Sequence, residues 1–254
     1  MVKPIILIQT RPNGHILNQG CYTAFYGAQQ LNYITEFYKN ADDCFEKIKQ
    51  HAFPGTVCVG GIDTLRKIMD MIGCAQPEVH SPHTHLPYYV GRKITETTLG
   101  EIRSNKFEPP YFIKPLVLDK AFTGYVVHYH DMDLIRVRSL ADDTKILHSE
   151  TVKFVSEYRI FIKNKIIIGA KNYSGRYDVL PDFEIVRNAI NHYVDQKICY
   201  SLDFGITDKG ETLLIEINDA FGMAPYGLEP VAYLNFLSER WREITIKKPT
   251  TYSI

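Results

Sequence analysis

The sequence predicts an antiparallel-rich α+β chain preceded by a small α/β unit, and three observations carry that prediction. Short apolar runs alternate with helix-period segments over roughly the first 75 residues, which is the α/β pattern. Residues 73–92, GCAQPEVHSPHTHLPYYVGR, then break the pattern with three prolines and no sustained period. Beyond them the chain is rich in apolar or alternating strand segments with only a few helical stretches interposed.

In chain order, residues 4–8 read as a strand, 21–31 as a helix, 33–38 as a strand and 42–51 as a helix with Phe45 and Ile48 on its inner face. Residues 55–59 follow as a strand and 63–72 as a helix. The boundary falls in the proline-broken stretch, giving units of 1–87 and 88–254. His80, His83 and His85 stand close together there; imidazole is a common zinc ligand, but such a segment without a partner cysteine reads first as a linker or surface loop. After it, strands are expected at 111–115, 124–129, 134–138, 144–148, 157–163, 166–173, 199–206 and 212–218. Helices are expected at 95–103, 181–196 and 229–244, the last with Tyr233, Phe236, Leu237 and Trp241 on one face.

Composition narrows the function. With 254 residues, 45% hydrophobic, the chain can bury a proper core. Lysine plus arginine equals aspartate plus glutamate at 29 each, so no global field draws it to nucleic acid or an anionic membrane. Any bound anion must be held by local geometry. No apolar run approaches a membrane span, and the first one is too brief for a signal-peptide core, so a cytoplasmic location is expected. Five cysteines without metal-ligand spacing argue against a disulfide framework.

The most informative passage is Tyr200-Ser201-Leu202-Asp203-Phe204-Gly205-Ile206, an Asp208-Lys209-Gly210 turn, and Thr212-Leu213-Leu214-Ile215-Glu216-Ile217-Asn218-Asp219. The turn makes the two runs a hairpin. Glu216 and Asn218 are two apart and share a face, to which the hairpin can bring Asp203. Two carboxylates and an amide oxygen suit a Mg²⁺ ion that is also held by nucleotide phosphates. A solvated hairpin face is the plain alternative, but a carboxylate among apolar neighbours needs a cation. Upstream, Tyr111-Phe112-Ile113-Lys114-Pro115 and Asp119-Lys120-Ala121-Phe122-Thr123-Gly124 put a lysine at a strand end and another in a loop, fit to clamp polyphosphate or simply to be solvated. In Ser156-Glu157-Tyr158-Arg159-Ile160-Phe161, Glu157 and Arg159 share one face of a strand, as a phosphoryl contact or as a cross-strand ion pair.

In this order the motifs resemble the ATP-grasp superfamily, in the wording of a compact clade named for one arginine and two lysines and met chiefly in phage and bacterial genomes. The resemblance spans residues 88–245 and rests on Phe112-Ile113-Lys114-Pro115, Lys120-Ala121-Phe122-Thr123-Gly124, Ser156-Glu157-Tyr158-Arg159-Ile160-Phe161, Asp203-Phe204-Gly205 and Ile215-Glu216-Ile217-Asn218-Asp219. It implies an ATP-grasp fold, two α+β subdomains gripping ATP, behind a small α/β pre-ATP-grasp domain. It further implies that Lys114 and Lys120 approach the ATP phosphates and that Glu150, Thr151 and Val152 form a hinge bonding adenine through its backbone. Arg159 would contact the transferring phosphate, with Lys120 beside it in catalysis. Asp203, Glu216 and Asn218 would hold Mg²⁺, and Glu157 would place the ribose or brace a lysine.

The activity this implies is an ADP-forming carboxylate–amine ligase, peptide-type in its most concrete form, with small-molecule or peptide substrates. A kinase on the same scaffold and a non-catalytic ATP-binding protein are the alternatives. Val59-Gly60-Gly61-Ile62-Asp63 lacks the spacing of a dinucleotide fingerprint, and no Ser-His-Asp or Cys-His pair has local support. Acceptor choice is expected from the loops at 14–20, 174–178 and 221–226, and a homodimer is the default assembly.

Overall fold

In a computed structural model describing residues 4–51, 55–116 and 122–246, the first apolar run is β1 (Ile5–Gln9), with Ile6, Leu7 and Ile8 fully buried. A strand buried on both faces is what a parallel sheet flanked by helices requires. The chain continues through α1 (Gln19–Gln30), β2 (Ile34–Tyr38), α2 (Ala41–Gln50), β3 (Thr56–Val59) and α3 (Ile62–Met71), and the strands lie parallel in the order β2-β1-β3. Asn18 and Asn40 cap α1 and α2, accepting from the backbone N–H of Cys21 and Asp43. Each cap satisfies a donor that the helix geometry leaves unpaired.

The connecting segment carries one short helix, α4 (Pro82–His85). Then come β4 (Ile94–Thr98), α5 (Leu99–Arg103), β5 (Tyr111–Pro115), β6 (Tyr125–Val127), α6 (His130–Asp133) and β7 (Lys145–Glu150). After them follow β8 (Phe154–Lys163), β9 (Ile166–Gly175), α7 (Phe183–His192), β10 (Cys199–Thr207), β11 (Thr212–Asp219) and α8 (Pro230–Ile246). They form two antiparallel four-stranded sheets, β4-β7-β5-β6 and β11-β10-β8-β9. Each has its own core: α5 and the turn after α6 cover the first, α7 the second.

The third core joins the two ends of the chain. Tyr233, Leu234, Phe236, Leu237 and Trp241 of α8 are buried with β1, β3 and α1. Close approach is possible because Gly27 of α1 lies against the start of α8; a Cβ there would stand 2.3 Å from the Pro230 carbonyl oxygen. The Trp241 indole N–H donates to the Thr56 carbonyl at 3.1 Å, 185 positions away. Trp241→Ala is expected to lower the unfolding free energy by about 3–5 kcal/mol, read from urea denaturation, because it opens a large cavity and orphans that carbonyl.

Two predicted elements differ from those observed. Residues 95–103, expected as one helix, divide into β4, paired with β7, and α5. Three threonines in ITETT favour the pleated strand, and Thr98 caps α5 by accepting from the Glu101 N–H. Residues 134–138, expected as a strand, contain a 3-10 turn over Leu134–Val137. Only Leu134 and Val137 are buried there, a spacing of three that a strand would send to opposite faces. Among the described residues no helix is long and apolar enough to cross a membrane.

Candidate active site

The site is one face of the sheet β11-β10-β8-β9. Along β8, Tyr158, Ile160 and Ile162 point into the core under α7, so Glu157, Arg159 and Phe161 point the other way. Register carries that face across the sheet: Arg159 opposes Lys171 on β9 and Asp203 on β10, Asp203 opposes Glu216 on β11, and Ser201 opposes Asn218.

A β-bulge sets the phase of β11. Phe204 opposes Leu214 while Asp203 opposes Glu216, leaving Ile215 as the extra residue. Leu214 and Ile217 therefore both join the α7 core, and Glu216 and Asn218 both turn to the site. Without the bulge, Leu214 and Glu216 would share a face.

Asp203 is 2% exposed and Arg159 7%. The guanidinium grips the carboxylate with both arms, Nε–H to Oδ1 at 2.8 Å and Nη2–H to Oδ2 at 2.6 Å. Asn218 donates to the same Oδ2 at 3.3 Å, which leaves its amide oxygen available. Burial lifts the Asp203 carboxyl to about 6 despite the guanidinium, with the Glu216 and Glu157 carboxylates adding to the rise. A carboxyl whose folded pKa is raised stabilises the fold at low pH and loses that contribution as pH climbs through about 6. In metal-free buffer, lowering the pH from 7 to 5 is expected to raise the melting midpoint of the wild type relative to Asp203→Asn by about 3 °C. A pH-independent difference would assign the shift elsewhere.

The second sheet contributes Lys114, at the end of β5, whose ammonium donates to Glu216 Oε1 at 3.0 Å. This pair spans the cleft between the two sheets. Burial alone would raise the Glu216 carboxyl; Lys114 and Arg159 together hold it below the usual range. Glu150 is the last residue of β7, and Thr151 and Val152 link it to β8, so these three residues join one sheet to the other. The Glu150 N–H donates to the Lys93 carbonyl and its carboxylate accepts from the Lys93 N–H, fixing the link. Glu157 accepts from the Tyr173 hydroxyl at 2.8 Å. Lys120 lies outside the described residues.

Several members of the site were not read from the sequence. Tyr226 lies over the Arg159 guanidinium, 4.8 Å from it, and stacks on Tyr173 with centroids 4.9 Å apart. Its φ of +44° is rare for a bulky residue, and no local signal in Pro225-Tyr226-Gly227 announces the stacking. Lys171 and Tyr173 were findable, since they alternate on β9 as Glu157 and Arg159 do on β8. Arg240 of α8 grips Asp219 with two bonds of 2.5 Å, anchoring the end of β11 and the loop beyond. In that loop Gly222, at φ +61°, packs so tightly that a Cβ would stand 2.9 Å from Ile62 Cα.

Chemically, the face offers two carboxylates and an amide oxygen beside a lysine and an arginine. Among the described residues no group of three or more His, Cys, Asp or Glu is arranged to hold a metal, the 80–85 histidines included. The donor set fits a hard cation that takes its remaining ligands from phosphate oxygens and water, as Mg²⁺ does with a nucleotide.

Residues 89–236 match the model of an ATP-grasp domain, that of the second family in the clade named for one arginine and two lysines. The fold is similar to that of a D-alanine–D-alanine ligase from Bacillus anthracis, with a TM-score of 0.61 at 13% identity over 97% of this chain and 98% of that one. That ligase has also been solved in complex with ATP. An L-amino acid ligase from Bacillus licheniformis matches with a TM-score of 0.60 at 11% identity, covering 96% of this chain and 76% of that one. An N5-carboxyaminoimidazole synthetase from Staphylococcus aureus gives 0.60 at 9% identity over 93% and 77%. No curated protein matches the chain in sequence.

Proposed function

Because the chain belongs to this ATP-grasp domain family, the second of the arginine-and-two-lysines clade, we propose that it is an ATP- and Mg²⁺-dependent ligase joining a carboxylate to an amine through an acylphosphate. The observation that carries this reading is the convergence of Arg159, Asp203, Glu216 and Asn218 on one sheet face with Lys114 reaching Glu216 from the other sheet. Positioned charge of both signs in a cleft is what phosphoryl transfer demands, because its catalysis is mostly positioning and electrostatics. The similar structures named above, one of them solved with ATP, support the nucleotide and the ligase class.

In this reading the backbone of Glu150, Thr151 and Val152 receives adenine, and Glu157 places the ribose or braces a lysine. Lys114 and Lys120 face the phosphates. Asp203, Glu216 and Asn218 hold Mg²⁺, which when bound neutralises charge across the β- and γ-phosphates. A carboxylate oxygen of the first substrate attacks the γ-phosphorus and the bond to the β,γ-bridging oxygen breaks, releasing ADP. Arg159 spends two donors on Asp203 and has others to offer the transferring phosphoryl group, with Tyr226 holding its plane. The amine nitrogen then attacks the acyl carbon, the carbon–oxygen bond to phosphate breaks, inorganic phosphate leaves, and the nitrogen's proton passes to solvent.

Calorimetry of ATP with and without Mg²⁺ tests the first half. Release of ADP and phosphate with pooled carboxylates and amines tests the second. Products that require both acid and amine support the ligase. ADP without free phosphate would assign the site to a kinase, and no binding of ATP would overturn the reading.

A further inference from the structure

The cleft opens into a cavity of about 770 Å³ that extends well past the groups assigned to the phosphates. Its lining includes Lys114, Arg159, Glu216 and Asn218 but not the adenine link at 150–152, so the cavity begins at the phosphate end and runs away from the base. The far wing is walled by residues 77–82 of the connecting segment, by the 221–224 loop, and by Tyr193, Lys197 and Tyr200. Reaction order fixes what belongs there. Phosphate comes first, then the acyl group on it, and the attacking amine lies furthest from the nucleotide.

Three lysine and arginine side chains line this cavity, and two are spoken for: Lys114 by Glu216 and Arg159 by Asp203. Lys197 has no carboxylate within ion-pair distance among the described residues, although it is half-buried. Glu78 and Asp195 share its neighbourhood, but both are exposed and neither pairs with it. An ammonium withdrawn from water gains from an anionic partner, so a ligand that brings a carboxylate satisfies it.

The wall beside Lys197 is ordered. The Tyr193 hydroxyl is hydrogen-bonded to His80 Nδ1, His80 stacks on His85 at 4.2 Å, and Tyr193 meets Tyr200 edge-on at 5.1 Å. Burial, reinforced by His85 and Lys197, lowers the His80 pKa, so the imidazole stays neutral and Lys197 is the cation of this wing. The start of β10 at Cys199 lies four strand residues, about 13 Å, from Asp203. An extended peptide at about 3.4 Å per residue spans that gap with about two to four residues.

We propose that this wing binds a short peptide as the amine substrate, Lys197 holding its C-terminal carboxylate while its amino group reaches the acyl carbon beside Arg159. The proposal rests on the ligase reading and adds the class of its second substrate.

The test uses the full chain with Mg-ATP, a pool of carboxylic acids, and a pool of di- and tripeptides supplied either as free acids or as C-terminal amides. The free acids are expected to support ADP release with kcat/KM at least tenfold above the amides. Lys197→Gln is expected to erase that preference by raising KM for the acids about tenfold or more, with kcat within threefold and the amides unaffected. Equal use of acids and amides by the wild type, or an unchanged Lys197→Gln, overturns the proposal. Thermal shift with the same two pools in Mg-ADP separates it from the ligase reading. If nothing turns over yet the acids raise the midpoint of the wild type and not of Lys197→Gln, the subsite stands and the ligase reading fails. Neither turnover preference nor carboxylate-dependent binding rejects the subsite.

Discussion

Glu216→Ala is expected to reduce ADP release by about a thousandfold at saturating ATP and to raise the Mg²⁺ concentration needed for half-maximal rate, with almost no change in the urea midpoint. The size of the rate effect follows from losing two functions at once, an oxygen for the metal and the partner that orients Lys114 across the cleft. The small stability effect follows from exposure. The Glu216 side chain is 40% exposed, and an ion pair so open to solvent contributes at most about 1 kcal/mol. Activity within threefold of wild type across a Mg²⁺ titration would remove Glu216 from the chemistry.

Arg159 is expected to behave differently, because stability and rate depend on it together. Arg159→Met strands the Asp203 carboxylate in a site 2% exposed, with only Asn218 to donate to it. Breaking a buried pair in this way costs about 3–5 kcal/mol, and ADP release is expected to fall by about a thousandfold. Arg159→Lys keeps the charge but loses the two-armed grip and the planar stack on Tyr226, so most of the rate loss should remain. The double variant Arg159→Met with Asp203→Leu separates the two effects. Replacing both charges with apolar groups should restore most of the stability, read by urea unfolding, and none of the activity. Recovery of ADP release in that double variant would show that the pair only holds the fold.

The motif residues were legible because strand chemistry is local. Period two puts Glu157 with Arg159 and Glu216 with Asn218 whatever the rest of the chain does, and the Asp-Lys-Gly turn makes β10 and β11 neighbours. The helix read over 95–103 failed for the opposite reason. ITETT has no strong helical or strand period, and only pairing with β7 decides that it extends. The strand read over 134–138 failed because LIRVR alternates in sequence, while the wall of the core it must cover takes Leu134 and Val137 together.

By itself the sequence determined the α/β beginning, the strand-rich remainder, the hairpin, and the identity of the residues that carry charge to one face of each strand. Each follows from backbone period, turn chemistry and the need to pair a buried charge, all written within a few residues. Only the tertiary structure decided that the Ile215 bulge turns Glu216 toward the cleft, that Lys114 meets it from another sheet, that Tyr226 covers Arg159, and that α8 seals the core of the first unit. Those contacts join residues up to 185 positions apart, as Trp241 and Thr56 do. Which distant partners meet is set by how whole sheets and helices bury their apolar faces against one another, and no local window of sequence contains that balance.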